Sequence, residues 1–552
     1  MVSTKPAKVF QDAIHGLIEV EPLMLQVIDT PEFQRLRNIK QLGPVYFVFP
    51  TCSHTRFEHS LGTYHLVSRL LRALQADVPC EAVRLNEAEC SALKLAALCH
   101  DLGHGPFSHL WEYFMRSGGP KYEVVTHEKM SGRILRWIIQ QNPDLAASIS
   151  EAAIDLDLVC ALIEANPSRE QLKSLKEKSF IFELLSNSTN GMDADKWEYI
   201  LRDSFYLGWG QGCSTLELER FLWFYRLVFH PPEASSDCGG EESCGSWHMS
   251  FRDSEIENVM RTFSQRLHLH RQVYSHKTSK AIAAMFLDIL KELDSVMQLR
   301  ELTLLAATSD DLAHLSAYLR LDDYAIWAMA SNYMSLPPAL AYKDDHKAVF
   351  ARTANLCRRI QTRHLYTFIG CIYCVSSNAE PQQQQQQPQR EPFPGEVKHI
   401  CLGDASRSER PNSCESIAAK YAFNTMAFAM DSNQTIPIPR DDLGSREKIL
   451  EEIYAELPED SVVKRQQELR LIECQFRSNS TSSTPVFFFY KASGETFTFK
   501  QPLTSVISFK LYWNGGEGSN VKKVGEPPCL LEAFQRWRDA KLAAYTKMLH
   551  ST

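Results

Sequence analysis

The sequence predicts a mostly α protein, with a large helical N-terminal domain followed by a smaller α/β lobe. Three observations carry this. Apolar residues recur at helical spacing through the first 375 or so residues. A glutamine- and proline-rich stretch from Ser376 to about Arg410 then interrupts the pattern. Beyond it the apolar runs are short and rich in aromatic and β-branched residues, as strands are.

The helical spacing is seen in Leu66–Leu74, Ala92–Cys99, Ile134–Ile139, Ile181–Leu185, Leu216–Val228, Ile256–Leu269 and Ala281–Leu290, with Gly and Pro between them. Ser53 to Leu61 reads as a turn entering a helix, and Pro231 to Ser246 as a surface loop. Pro381, the glutamines Gln382 to Gln387, and Pro388, Pro392 and Pro394 make residues 376–410 a linker with no packed core. Pro485–Tyr490, Glu495–Lys500 and Ser505–Trp513 are expected strands, the first two joined by a turn at Ala492–Glu495. Leu530–Met548 is expected to close the chain as an amphipathic helix. The expected division is 1–375, 376–410 and 411–552.

A hydrophobic fraction of 44% excludes a largely disordered chain. The 59 basic and 67 acidic residues give a net charge of −8, which argues against bulk nucleic-acid wrapping but not against a local basic pocket. No apolar run approaches the roughly 18 residues of a membrane helix, and the N-terminus lacks a signal-peptide core. Fifteen scattered cysteines read as reduced thiols in an intracellular protein, nuclear or cytoplasmic. The close pair Cys371 and Cys374 lies in an apolar run and reads as packing.

Chemistry is signalled by histidine density. Six of the eighteen histidines are His59, His65, His100, His104, His109 and His127. A helix from about Ala88 should deliver His100 and Asp101 at its end, where Gly103, Gly105 and Pro106 break it. His104 shares the face of His100 for as long as the helix persists. Imidazole and carboxylate together suit Fe, Mn, Zn or Mg. His59, in Arg56-Phe-Glu-His59, and Asp195, in Asp193-Ala-Asp-Lys196, are the candidates to complete a set of His59, His100, Asp101 and Asp195. Positions left open for water and substrate mark such a site as catalytic.

At these residues the chain resembles HD-domain phosphohydrolases, and within them the SAM-and-HD-domain deoxynucleoside triphosphate triphosphohydrolase family. The stretches KQLG (40–43), VFP (48–50), RFEHSLG (56–62), CHDLGHGPFSH (99–109), THE (126–128), DADKWEY (193–199) and YSHK (274–277) carry the resemblance. It covers about residues 8–375 strongly, and the SAM domain is expected to be absent. The resemblance implies an all-helical HD-domain catalytic core that cleaves a dNTP into deoxynucleoside and inorganic triphosphate. It implies a divalent metal (Zn, Fe or Mn) on His59, His100, Asp101 and Asp195, with Mg accompanying the nucleotide. His127 matches the active-site acid, with His109 as the other candidate, and His104 lines the phosphate site. Arg56, Lys196, Arg266 and Lys277 would neutralise the triphosphate. Gln41, Leu42, Tyr199, Asp203, His270 and Tyr274 match substrate contacts, Tyr274 leaving no room for a 2′-hydroxyl.

The resemblance also implies a homotetramer activated by GTP and dNTP bound between subunits. Lys8, Val9, Asp29, Gln34, Arg37 and Val48 match the guanine-nucleotide site, with Asp29 accepting from guanine and Arg37 donating to it. Arg220, Arg252, His276, Lys277 and Lys491 match the neighbouring dNTP site. Ser254, Gln272 and Thr367 replace family cations there, which weakens the case for dNTP activation. Glu112 stands for an aspartate, and Ser275 for a glutamine. An HD-type phosphodiesterase or nuclease is the second enzymatic reading. A catalytically inactive relative with weak single-stranded nucleic-acid binding is the third.

Overall fold

A computed structural model describes residues 7–187, 190–209, 217–230, 245–331, 344–375, 438–439, 445–457, 469–476, 485–489, 496–500, 506–513 and 528–549. The architecture is mostly helical, with small sheets. Lys491, the Ala492–Glu495 turn, the glutamine-rich stretch and Leu216 lie outside the described residues.

The long helix Arg56–Ala76 is the centre of the fold. Thirteen of its residues are buried, from Arg56 and His59 at its start to Leu74 near its end. It packs on Glu87–Cys99 and on Ala194–Tyr206. Glu87–Cys99 starts where the sequence signals a start: Asn86 and Glu89 form a reciprocal capping box. Its inward face is rich in small residues (Ala92, Ala96, Ala97), all without exposed surface, so neighbouring helices approach closely. The helix ends at Cys99 with His100 as its cap, so His104 lies past the helix in the following turns rather than on its continued face. His127–Gln141 is capped by Thr126, and Ala194–Tyr206 by Asp193.

Ile256–Leu269 falls where the apolar period put it. It passes directly into a π-helical turn, His270–Tyr274, before Lys277–Met297 begins. Such single π turns rotate side chains out of helical register and recur at functional sites. Here one places His270 against Tyr274, ring centroids 4.8 Å apart.

The strands differ most from expectation. Lys8–Asp12 and Gly16–Val20 form an antiparallel hairpin near the N-terminus, with Gly16 at φ +69° in the turn. The expected helix Leu216–Val228 is instead a short helix, Leu218–Phe224, followed by a strand, Tyr225–His230. Its alternating burial, with Tyr225 and Leu227 inward, suits pairing with Ser246–Arg252 better than a second helical turn. Thr367–Val375, with Cys371 and Cys374, is also a strand and pairs along its length with Val506–Trp513. Pro485–Phe489 pairs with Thr496–Lys500 and, in parallel, with the end of Ser246–Arg252. Pro528–Leu549 is the closing helix, and its Phe534 lies against Gly370 of the Thr367–Val375 strand. Among the described residues no helix is long and apolar enough to cross a membrane.

Candidate metal and phosphate site

Three elements deliver the metal candidates. Arg56–Ala76 carries His59, the end of Glu87–Cys99 carries His100 and Asp101, and the first turn of Ala194–Tyr206 carries Asp195. One atom each from His59, His100 and Asp195 lies within 4.8 Å of the others. His59 Nε2 is 3.0 Å from Asp195 Oδ1 and 3.2 Å from His100 Nε2. Asp101 is 3.6 Å from His59 Nε2 and 3.5 Å from His100 Nε2. Asp195 is 29% exposed, against 3% or less for His59 and Asp101, so the cluster opens on the Asp195 side.

The tautomers are set from behind. His100 Nδ1 donates to Ala97 O at 2.8 Å, and His59 Nδ1 is bonded to the Glu198 carboxylate. Both Nε2 atoms therefore point into the cluster, the arrangement metal-ligating histidines use. Two imidazole nitrogens aimed at one another at 3.2 Å, with two carboxylates alongside, form a set of acceptors that a small divalent cation would satisfy. Burial alone lowers the pKa of His59, but Glu198, Asp195 and Asp101 hold it up at about 10. A metal ion bound at Nε2 would displace that proton. Asp101 is pushed up by burial, yet Arg56, His100 and His104 hold it well below the usual carboxylate range.

Glu198 is the partner that sequence reading missed. It lies one helical turn after Asp195, where a glutamate ordinarily reads as a solvated acid. Gly62, in the RFEHSLG stretch, makes room for it: a Cβ there would sit 2.1 Å from Glu198 Oε1 and 2.9 Å from Arg202 Nη2. Glycine to alanine inside a helix normally stabilises by about 1 kcal/mol. At Gly62 the sign should reverse, with Gly62→Ala costing about 1–3 kcal/mol through overpacking. Urea unfolding of the two proteins measures the sign directly.

Arg56 is buried and committed. It donates to Asp101 Oδ2 at 2.8 Å, Ser108 Oγ at 3.0 Å and Gln41 O at 3.3 Å. Phe107 and Ser108, at φ +60° and +57°, hold the HGPFSH loop in a left-handed conformation. The Asp323 carboxylate fixes that loop, accepting from Phe107 N at 2.6 Å and Lys40 N at 3.0 Å. Gln41 is also buried, and its Oε1 has no hydrogen-bond partner among the described residues.

Beside the metal candidates the histidines stack. The His104 ring lies 4.0 Å from that of His127 at 16°, with His104 Nε2 3.2 Å from Asp101. Burial, Arg56 and His127 push His104 well below the ordinary imidazole pKa, so it is neutral. His127 goes the other way. Burial lowers it, but its Nδ1 is bonded to Glu112, which raises it to about 9. Glu112 thus engages His127 directly, and reaches His109 only at 3.5 Å. His109 itself is 69% exposed.

The remaining pocket candidates divide by what already holds them. Lys196 Nζ is 2.7 Å from Asp193, which keeps it cationic despite its burial. Arg266 Nε donates to the Tyr199 hydroxyl at 2.9 Å. Asp203 binds His54 Nε2 at 2.7 Å and accepts from the Tyr274 hydroxyl, so it braces Tyr274. Leu42, Tyr199 and Tyr274 pack around Val45, Ile200, Leu269 and Val273 as an apolar wall. Burial, Arg266 and Lys280 keep His270 neutral.

The candidate regulatory residues form two groups. Arg37 Nε donates to Gln34 Oε1 at 2.7 Å and its guanidinium lies 3.5 Å over the Phe57 ring; Asp29 is exposed nearby, at the end of helix Pro22–Ile28. Lys8 and the exposed Val9 lie on the hairpin, and Val48 follows the Gly43–Phe47 turn. Arg220 and Arg252 flank the Phe224 ring, at 5.2 and 5.1 Å, and Arg220 Nε is 3.1 Å from Glu255. His276 caps Lys277–Met297, and Lys277 lies 6.0 Å from the Phe368 ring. Ser254 bonds Glu255 at 3.2 Å, Gln272 is exposed, and Thr367 begins its strand.

Residues 56–194, which include His59, His100 and Asp101, match the HD domain family. The protein carries an HD domain. It is similar to proteins named deoxynucleoside triphosphate triphosphohydrolase SAMHD1. Identity is 33% over 399 residues with that of Xenopus laevis (68% of this chain, 57% of the relative) and 32% over 378 residues with that of Homo sapiens (66% and 55%). The Dictyostelium discoideum homologue is 32% identical over 371 residues (67% and 61%). The chain thus spans somewhat over half the length of these relatives.

Proposed function

We propose that this protein hydrolyses deoxynucleoside triphosphates to deoxynucleoside and inorganic triphosphate at a divalent metal held by His59, His100, Asp101 and Asp195, and that guanine nucleotide activates it. The convergence of His59, His100 and Asp195, with Asp101 3.6 Å from His59 and 3.5 Å from His100 and both imidazole Nε2 atoms turned inward, carries this reading. The names of the relatives support the substrate class.

A metal there would supply Lewis-acid activation of water and would neutralise charge on the α-phosphoryl group. The protein's own groups do the rest. Arg56 holds Asp101 ionised and in place. Lys196 and Arg266 present positive charge to the triphosphate, where a dry site strengthens it. His127, kept protonated by Glu112, donates to the departing 5′-oxygen, with His109 at the open rim as the second proton carrier. Neutral His104 contacts phosphate without adding charge. Tyr274, braced by Asp203, lies against the deoxyribose and excludes a 2′-hydroxyl, while Gln41, Leu42, Tyr199 and His270 complete the pocket. Asp29, Gln34 and Arg37 with Lys8, Val9 and Val48 read guanine. Arg220, Arg252, His276, Lys277 and Lys491 hold an effector phosphate chain between subunits of a tetramer.

Purified protein incubated with each dNTP, with and without GTP and with Mn2+, Fe2+, Zn2+ or Mg2+, tests this. Triphosphate and free deoxynucleoside are expected, with turnover rising on GTP addition. Monophosphate with pyrophosphate, or no turnover under any condition, excludes it.

A further inference from the structure

Behind His59 runs a chain of buried charges that ends in the N-terminal hairpin. The Glu198 carboxylate uses one oxygen for His59 Nδ1 and the other for Arg202, whose Nε donates at 2.7 Å. Arg202 Nη1 continues to Asp12 Oδ2 at 3.0 Å. The other Asp12 oxygen accepts from Ile14 N at 2.8 Å and His15 N at 2.9 Å, closing the hairpin turn. His15 turns back, its Nε2 3.4 Å from Glu198 Oε1. Arg202, Glu198 and His15 expose 3% or less of their side chains, and Asp12 only 8%. The Cβ-free surface of Gly62 is what allows the pair at the centre to sit there.

Burying a carboxylate, a guanidinium and a second carboxylate costs desolvation that packing alone does not demand. Their alignment on one ligand nitrogen supplies a reason. A carboxylate behind a ligating histidine fixes its tautomer and raises its basicity, and a carboxylate does so only if it is itself held.

We infer that Asp12, Arg202 and His15 are positioning residues for the metal centre: the hairpin Lys8–Val20 clamps Glu198, and through it sets the orientation and donor strength of His59. The affinity of the cluster for its cation then depends in part on the hairpin, which contains none of the four candidate metal ligands. This rests on the metal reading proposed above.

The test is metal binding by full-length Asp12→Asn, measured by calorimetry with Mn2+ and by the visible absorption of the Co2+ form. Asparagine keeps an oxygen to close the turn and removes the charge facing Arg202. Affinity should fall about tenfold or more, the Co2+ band should change, and Asp12→Glu should recover part of the loss. His15→Gln is the milder second variant, in case Asp12→Asn fails to fold by circular dichroism. Wild-type affinity and an unchanged Co2+ band in a folded variant overturn the inference while leaving the metal reading intact. Absence of metal binding by the wild-type protein removes both.

Discussion

Replacing His100 and Asp101 together by alanine should lower dNTP hydrolysis by about 10^3-fold or more. Two of the four proposed ligands go, and metal activation of water is worth several kcal/mol of barrier, at about 1.4 kcal/mol per factor of ten. The structure adds a second loss. Arg56 is buried and pairs with Asp101 at 2.8 Å, so the double variant strands a guanidinium in the interior. An uncompensated buried charge costs about 3–5 kcal/mol of stability, so the melting temperature should fall as well. Metal content by elemental analysis separates the two effects, as does His100→Gln, which removes one ligand and leaves the Arg56–Asp101 pair. Hydrolysis at the wild-type rate in the double variant rules out the metal assignment.

The next largest effect is expected at His127 and shows in the pH profile. His127→Asn should lower kcat by about 10^2–10^4-fold, the range for loss of a general acid. Glu112→Gln should act more selectively. The folded pKa of His127 is raised, so the proton-donating form dominates below about 9 and is lost as pH rises through that value. Without the Glu112 carboxylate the lowering effect of burial is largely unopposed, and the imidazole falls to its ordinary value of about 6.5 or below. The alkaline limb of kcat should therefore move to lower pH, with heavy loss in the window from about 6.5 to 9. A pH–rate profile of each dNTP substrate resolves this. An alkaline limb that stays where it was shows that His127 is not the acid.

Local period and local punctuation were readable in the sequence, and long-range pairing was not. Glu87–Cys99 with His100 at its end followed from apolar spacing and from the glycines behind it. Ile256–Leu269 followed from spacing alone. Leu216–Val228 reads as helix although Tyr225–His230 is a strand, because a short apolar run fits either period until its partner strand is known. The Lys8–Val20 hairpin is local, but its strands are only five residues each and Gly16 is its main turn signal, so periodicity does not mark it. Within the candidate site, the histidines and aspartates announce themselves by residue type and clustering. Glu198 and Glu112 do not, because a glutamate on a helix looks alike whether it faces water or a buried imidazole. Asp203 shows the converse: its carboxylate reads as a contact for substrate, and in the fold it is bonded to His54 and Tyr274. Only tertiary structure decides which side chains already have partners.

Both four-stranded sheets are stitched from chain on either side of residues 376–437. Thr367–Val375 lies between Ile438–Pro439 and Val506–Trp513, and Ser246–Arg252 lies between Tyr225–His230 and Pro485–Phe489. The two parts of the chain are therefore fastened by backbone hydrogen bonds as well as by the covalent thread. A molecule severed in that span would remain one particle.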